Sequence, residues 1–134
     1  MAFQAVGAIG GASPVAMNLV GKGKVESYWV ARYADVVDAT VRAGQVLSLE
    51  LLEKTVEAER TSFWYGYSKG AKAEILVEHR TATMTSVQID FGMSGSIAFA
   101  RLMGREIAVE LAKAGAFLED VSPDEDMVEG AEEI

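Results

Sequence analysis

The sequence predicts an α+β fold: two N-terminal helices, then a three-stranded antiparallel sheet, then a long C-terminal helix packed on one face of that sheet. Three observations carry this expectation. Apolar residues recur at offsets of three and four over residues 25–62 and again over 95–117. Between those stretches, over residues 61–92, apolar and polar residues alternate one by one. The chain has 134 residues, about one domain's worth, and half of them are apolar, enough for a single core. The domain spans 25–117, preceded by an extended apolar arm, 1–24, and followed by an acidic tail, 118–134.

In the first helix Trp29, Val30, Tyr33, Val36, Val37, Thr40 and Val41 form one apolar stripe. Asp38 and Arg42 stand four apart on its polar face, and Gly44 is placed to stop it. Ser48 is suited to cap the second helix, with Glu50 in its first turn, Leu49, Leu52 and Val56 inside, and Glu50 and Lys54 paired outside.

The period then shortens to two. Phe63, Tyr65 and Tyr67 share one face and Trp64 and Gly66 the other. After a turn at Ser68-Lys69-Gly70-Ala71, the residues Ala73, Ile75, Val77 and His79 face inward, opposite Lys72, Glu74 and Glu78. Val87, Ile89 and Phe91 do the same in a third strand. Three strands with one apolar face each need a cover. The last helix supplies it through Ile97, Ala100, Ile107, Leu111 and Ala114.

The order helix, three strands, helix over residues 48–116 resembles the double-stranded RNA-binding domain in topology. That family grips phosphates with a lysine cluster at the start of its last helix. Here those positions read Ser96-Ile97-Ala98-Phe99-Ala100-Arg101, so the resemblance carries no function with it.

Composition excludes several chemistries. With no cysteine there is no disulfide framework, thiolate metal site or cysteine nucleophile. His79 is the only histidine, so no metal or cofactor is expected. Residues 1–118 contain all 12 basic residues and 12 of the 20 acids, while the last 16 residues contain the other 8 acids. The body is therefore neutral and lacks the basic footprint of a nucleic-acid binder.

Two local patterns suggest catalysis or binding. Gly66-Tyr67-Ser68-Lys69-Gly70 matches the G-x-S-x-G nucleophile elbow, but that motif needs a following helix and here a strand follows, so it reads as a hairpin turn. Ser94, Gly95 and Ser96, at the start of the last helix, are a candidate anion site or simple caps.

The first 21 residues carry no charge yet contain Gly7, Gly10, Gly11 and Pro14. No basic residue precedes this run, so it is not a secretory signal, and a cytoplasmic or particle-bound location is expected. Pro14 and the glycines weaken a membrane span, although membrane contact by residues 1–20 stays open. The remaining expectation is docking, either on the arm's own domain or, with Gly21-Lys22-Gly23-Lys24 as a hinge, on a second subunit as an exchanged arm.

The predicted function is a non-enzymatic, self-assembling structural subunit, such as a shell, tube, filament or virion component. Its interface residues would be Phe3, Val6, Ile9, Val15, Leu19, Trp29 and Trp64. Two alternatives stand beside it. One is a nucleic-acid or anion module using the hairpin aromatics and the 94–96 helix start. The other is a small enzyme with a pocket around His79.

Overall fold

The computed structural model of the chain describes residues 16–92 and 96–118. In order, its elements are β1 (Ala16–Leu19), β2 (Lys24–Trp29), α1 (Tyr33–Val46), β3 (Glu50–Glu57), β4 (Arg60–Ser68), β5 (Ala71–Thr81), β6 (Met84–Asp90) and α2 (Ile97–Lys113). The strands form a single six-stranded sheet in the order β1-β2-β6-β5-β4-β3, and each neighbouring pair is antiparallel. Both helices lie on one face of it.

This corrects the predicted architecture. The sheet has six strands in place of three, and one helix precedes strands β3 to β6 in place of two. Residues 16–29, assigned to an arm and a helix start, form β1 and β2. Lys24–Trp29 alternates Val25, Ser27 and Trp29 inward, but the serine in the middle hides the apolar rhythm. Residues 50–57, read as a helix, form the edge strand β3. A bulge between Leu51 and Glu53 breaks their alternation and leaves a spacing that mimics a helical one.

The Gly-Lys-Gly-Lys segment is a tight turn and not a hinge. Val20 N–H donates to Lys24 O at 3.0 Å, and Gly21 and Gly23 take φ of 139° and 77°. Gly23 also meets the end of the neighbouring strand β6, where Phe91 N–H donates to its carbonyl at 2.7 Å. A Cβ at Gly23 would stand 2.5 Å from Gly92 O.

The core lies between the sheet and the helix pair. Cross-strand register stacks Val25, Ile89, Ile75 and Phe63 in one row, and Ser27, Val87, Val77 and Thr61 in the next. Helix α1 contributes Val36, Ala39, Thr40 and Ala43, and α2 contributes Phe99, Met103, Ile107 and Leu111.

Gly44, expected to stop α1, is instead buried within it: a Cβ there would lie 2.7 Å from the Tyr65 hydroxyl. Ser48 ends the helix, at φ 57°. Its N–H donates to Gln45 O at 3.0 Å and Leu49 N–H to Gly44 O at 2.9 Å, a Schellman motif. Gly115, at φ 65°, ends α2 in the same way. The chain then returns beside β2, where Leu118 N–H donates to Val30 O at 3.1 Å.

Six strands are about 24 Å across at ~4.8 Å per spacing. Two helices side by side cover about 20 Å. The sheet is thus wider than the helix layer, and its edge strand β3 is exposed along its whole length.

Candidate functional site

All eight residues of β3 are exposed. Leu51, Lys54 and Val56 pair with Tyr65, Phe63 and Thr61, so they share the core face of the sheet. Even so, Leu51 and Val56 are 45% and 68% exposed, because no helix covers them. Lys54 lies along this edge with its Nζ 5.7 Å from the centroid of the Phe63 ring, its stem shielding the rim of the core. On the opposite face the bulge turns Leu52 toward Gly66, with its methyls 3.7 and 3.9 Å from a Cβ built there.

Trp64, paired with Glu53 and Glu74, stands on the same opposite face and is 37% exposed. Beside it, Thr55, Ser62 and Leu76 floor an open depression of about 320 Å³, rimmed by Glu57, Arg60 and Glu74. Apolar surface is thus exposed on both faces of one sheet edge whose outer backbone groups have no partner strand among the described residues.

Several charged and polar side chains of the outer face are paired with one another. Arg80 reaches Glu78 at 3.1 Å and Glu26 at 3.6 Å and donates to Ser86 Oγ at 2.9 Å. Arg60 stands 3.7 Å from Glu78 and 3.8 Å from Glu57. Ser62 Oγ donates to Glu74 at 2.6 Å.

The residues assigned to an interface from sequence separate. Leu19, at the end of β1, is 62% exposed. Trp29 is fully buried, with its Nε1 donating to Ser27 Oγ at 2.9 Å, so it is a core residue and is not available to a partner. Phe3, Val6, Ile9 and Val15 lie outside the described residues, as do Ser94 and Gly95 and the acids from 119 onward. Ser96 is the N-cap of α2, its Oγ accepting from Ala98 N–H at 3.1 Å.

Gly66-Tyr67-Ser68-Lys69-Gly70 forms the end of β4 and the hairpin turn into β5, with φ of 38° at Lys69 and 85° at Gly70. His79 is half-buried on the core face and meets the Tyr33 ring edge-on at 6.2 Å. The Tyr33 hydroxyl is engaged with Thr61 Oγ1 at 2.6 Å.

Glu110 is the one buried carboxylate among the described residues. It lies at the α1–α2 contact, 3.2 Å from both Arg42 Nε and Lys113 Nζ. Burial pushes its carboxyl up, but hydrogen bonds from Glu106, Lys113 and Arg42 outweigh burial and leave it below the usual range. Glu106 is pushed the other way by burial and by the neighbouring Glu110 charge. This is a tie between the two helices.

The β3 apolar residues escaped sequence reasoning as surface features because Leu49, Leu52 and Val56 fit a helical stripe. The β-branched pair Thr55-Val56 was the available signal for a strand. Among the described residues, no cluster of three or more His, Asp or Glu side chains could hold a metal ion, and no helix is long and apolar enough to cross a membrane. No protein-family model matches the chain, and no curated protein matches its sequence.

Proposed function

We propose that this chain is a non-enzymatic structural subunit that assembles with copies of itself into a shell, tube, filament or virion-type particle. The observation that carries this reading is β3, an eight-residue edge strand exposed along its whole length and apolar at Leu51, Leu52 and Val56. Edge strands usually carry protection because their free N–H and C=O groups template pairing with another chain. Here apolar surface flanks, on both faces, a backbone edge without a partner strand among the described residues, the surroundings in which strand addition buries side chains and completes hydrogen bonds together. The segment before Lys22 is uncharged and rich in apolar residues.

Two observations weigh against the nucleic-acid alternative. Trp64 is paired with Glu53 and Glu74, which would repel a phosphate backbone, and the Ser96 hydroxyl is already used as a cap. The reading is tested by native mass measurement and light scattering of the full chain at micromolar concentration. Assembly predicts a species larger than a dimer; a monodisperse monomer at every concentration would sink it.

A further inference from the structure

We infer that the free edge of β3 is the acceptor for the N-terminal arm, residues 2–15, of a neighbouring copy, which adds to the sheet as a seventh strand. This rests on the assembly reading above and names the two surfaces that meet.

The charge pattern of β3 argues against a second β3 as occupant. In an antiparallel pairing, residues directly opposite share a face, and like charges placed there repel. Three registers use at least seven of the eight residues Glu50–Glu57. The full-length register sets Glu50 against Glu57 at both ends. Centring on Glu53 opposes two glutamates, and centring on Lys54 opposes two lysines. The Leu51–Glu53 bulge further disrupts a symmetric ladder. An uncharged strand meets none of these obstacles, and the first 21 residues are the longest uncharged stretch in the chain.

Placement favours a neighbour over the arm's own domain. The arm joins β1, at the opposite edge of the sheet from β3. Its 14 residues reach about 50 Å when extended, against about 24 Å of sheet width. Distance alone therefore permits both routes. The internal route must cross the outer sheet face, where Glu26, Glu74, Glu78, Arg60 and Arg80 are already paired with one another or with serines. Laying Ala, Val, Ile and Gly over that network would desolvate charges without offering them partners. The other face is filled by α1 and α2. A neighbouring copy presents its β3 with no such crossing.

Each copy then donates at one edge and accepts at the other. Such a contact is heterologous, so it closes into a ring or propagates as a filament.

The absence of cysteine makes cross-linking a clean test. Full-length chains carrying Ala5→Cys or Thr55→Cys, distinguished by a mass tag, are mixed, assembled and treated with a short bismaleimide. The expected product is a dimer of one Ala5→Cys chain with one Thr55→Cys chain, and the double variant gives a ladder of multimers. Cross-links confined within single chains of the double variant, or Thr55→Cys chains joined to each other in preference, would overturn the inference. Val56→Lys in the full chain is the second measurement. It should raise the half-assembly concentration about tenfold while leaving the far-UV spectrum unchanged. If particles form but are insensitive to Val56→Lys and give no mixed cross-link, this inference falls while the assembly reading stands. If the chain is a monomer throughout, both fall.

Discussion

Glu110 shows how one residue sets the chemistry of the helix layer. Its carboxylate is buried, but the cations that hold it, Arg42 and Lys113, keep side-chain exposures of 40% and 65%. The interaction is therefore screened, and Glu110→Gln should cost about 1 kcal/mol in urea denaturation at neutral pH. Its depressed carboxyl contributes stability that is present above the ordinary carboxylate range and lost as pH falls through the folded-state value. Glu106, raised by burial and by Glu110, has the opposite sign: its contribution is present in acid and lost as pH rises through its elevated value. Glu106→Gln should accordingly raise Tm at neutral pH, and that advantage should shrink through the ordinary carboxylate range. A thermal scan series across pH checks both signs. Gly44 is a second single-residue determinant. Alanine normally favours a helix by about 1 kcal/mol over glycine. Here its Cβ would stand 2.7–2.8 Å from the end of the buried Tyr65 ring, so Gly44→Ala should lower stability by about 1–3 kcal/mol in the same assay.

At the scale of elements, the ends of the helices were less legible than their faces. Val36, Thr40 and the other stripe residues of α1 were visible as a 3.6-residue period, but the stop was assigned to Gly44 because glycine is the usual terminator. The left-handed position is held by Ser48 at φ 57°. Ser48→Gly removes that backbone strain and should stabilise the protein by about 0.5–1 kcal/mol, measured as a rise in Tm. The strands divide along a similar line. The inward residues of β4 and β5, Phe63, Tyr65, Ala73, Ile75 and Val77, have the parity that alternation implies, since each strand is half-buried and lacks a mid-strand bulge over that run. In β2 a buried serine occupies an inward position because it accepts the Trp29 indole N–H, a pairing sixty residues away from its other partner, the Val87 carbonyl. In β3 the bulge and the missing cover remove both marks of a strand at once. The candidate site lies on β3, so it was the least legible part of the chain.

For the whole molecule, the decisive quantity is width: a six-stranded sheet is broader than the two helices that cover it. Face decides the fate of the two tryptophans: Trp29, under the helix layer, is 0% exposed, and Trp64, on the outer face that the helices do not cover, is 37% exposed. In the dissociated chain, acrylamide should quench Trp64 while Trp29 stays protected, and Trp64→Phe should leave a blue-shifted, weakly quenched emission. In the assembled state the Trp64 component should lose accessibility, because its strand neighbour Glu53 lies on the proposed acceptor edge. By itself, the sequence determined the Val36 and Thr40 part of the α1 stripe, the Ala100, Ile107 and Leu111 part of the α2 stripe, the inward faces of β4 and β5, the neutral body and the position of every charge, because these follow from spacing and composition within a single segment. Trp29 and Val30, read into the first stripe, belong to β2 and the segment after it, and Ile97 and Ala114, read into the second, are exposed. Tertiary structure alone decided that residues 50–57 are a strand, that Trp29 is core, and that β3 stands uncovered. Those outcomes depend on which strands pair and how far two helices extend over six of them, relations between segments that no local period records.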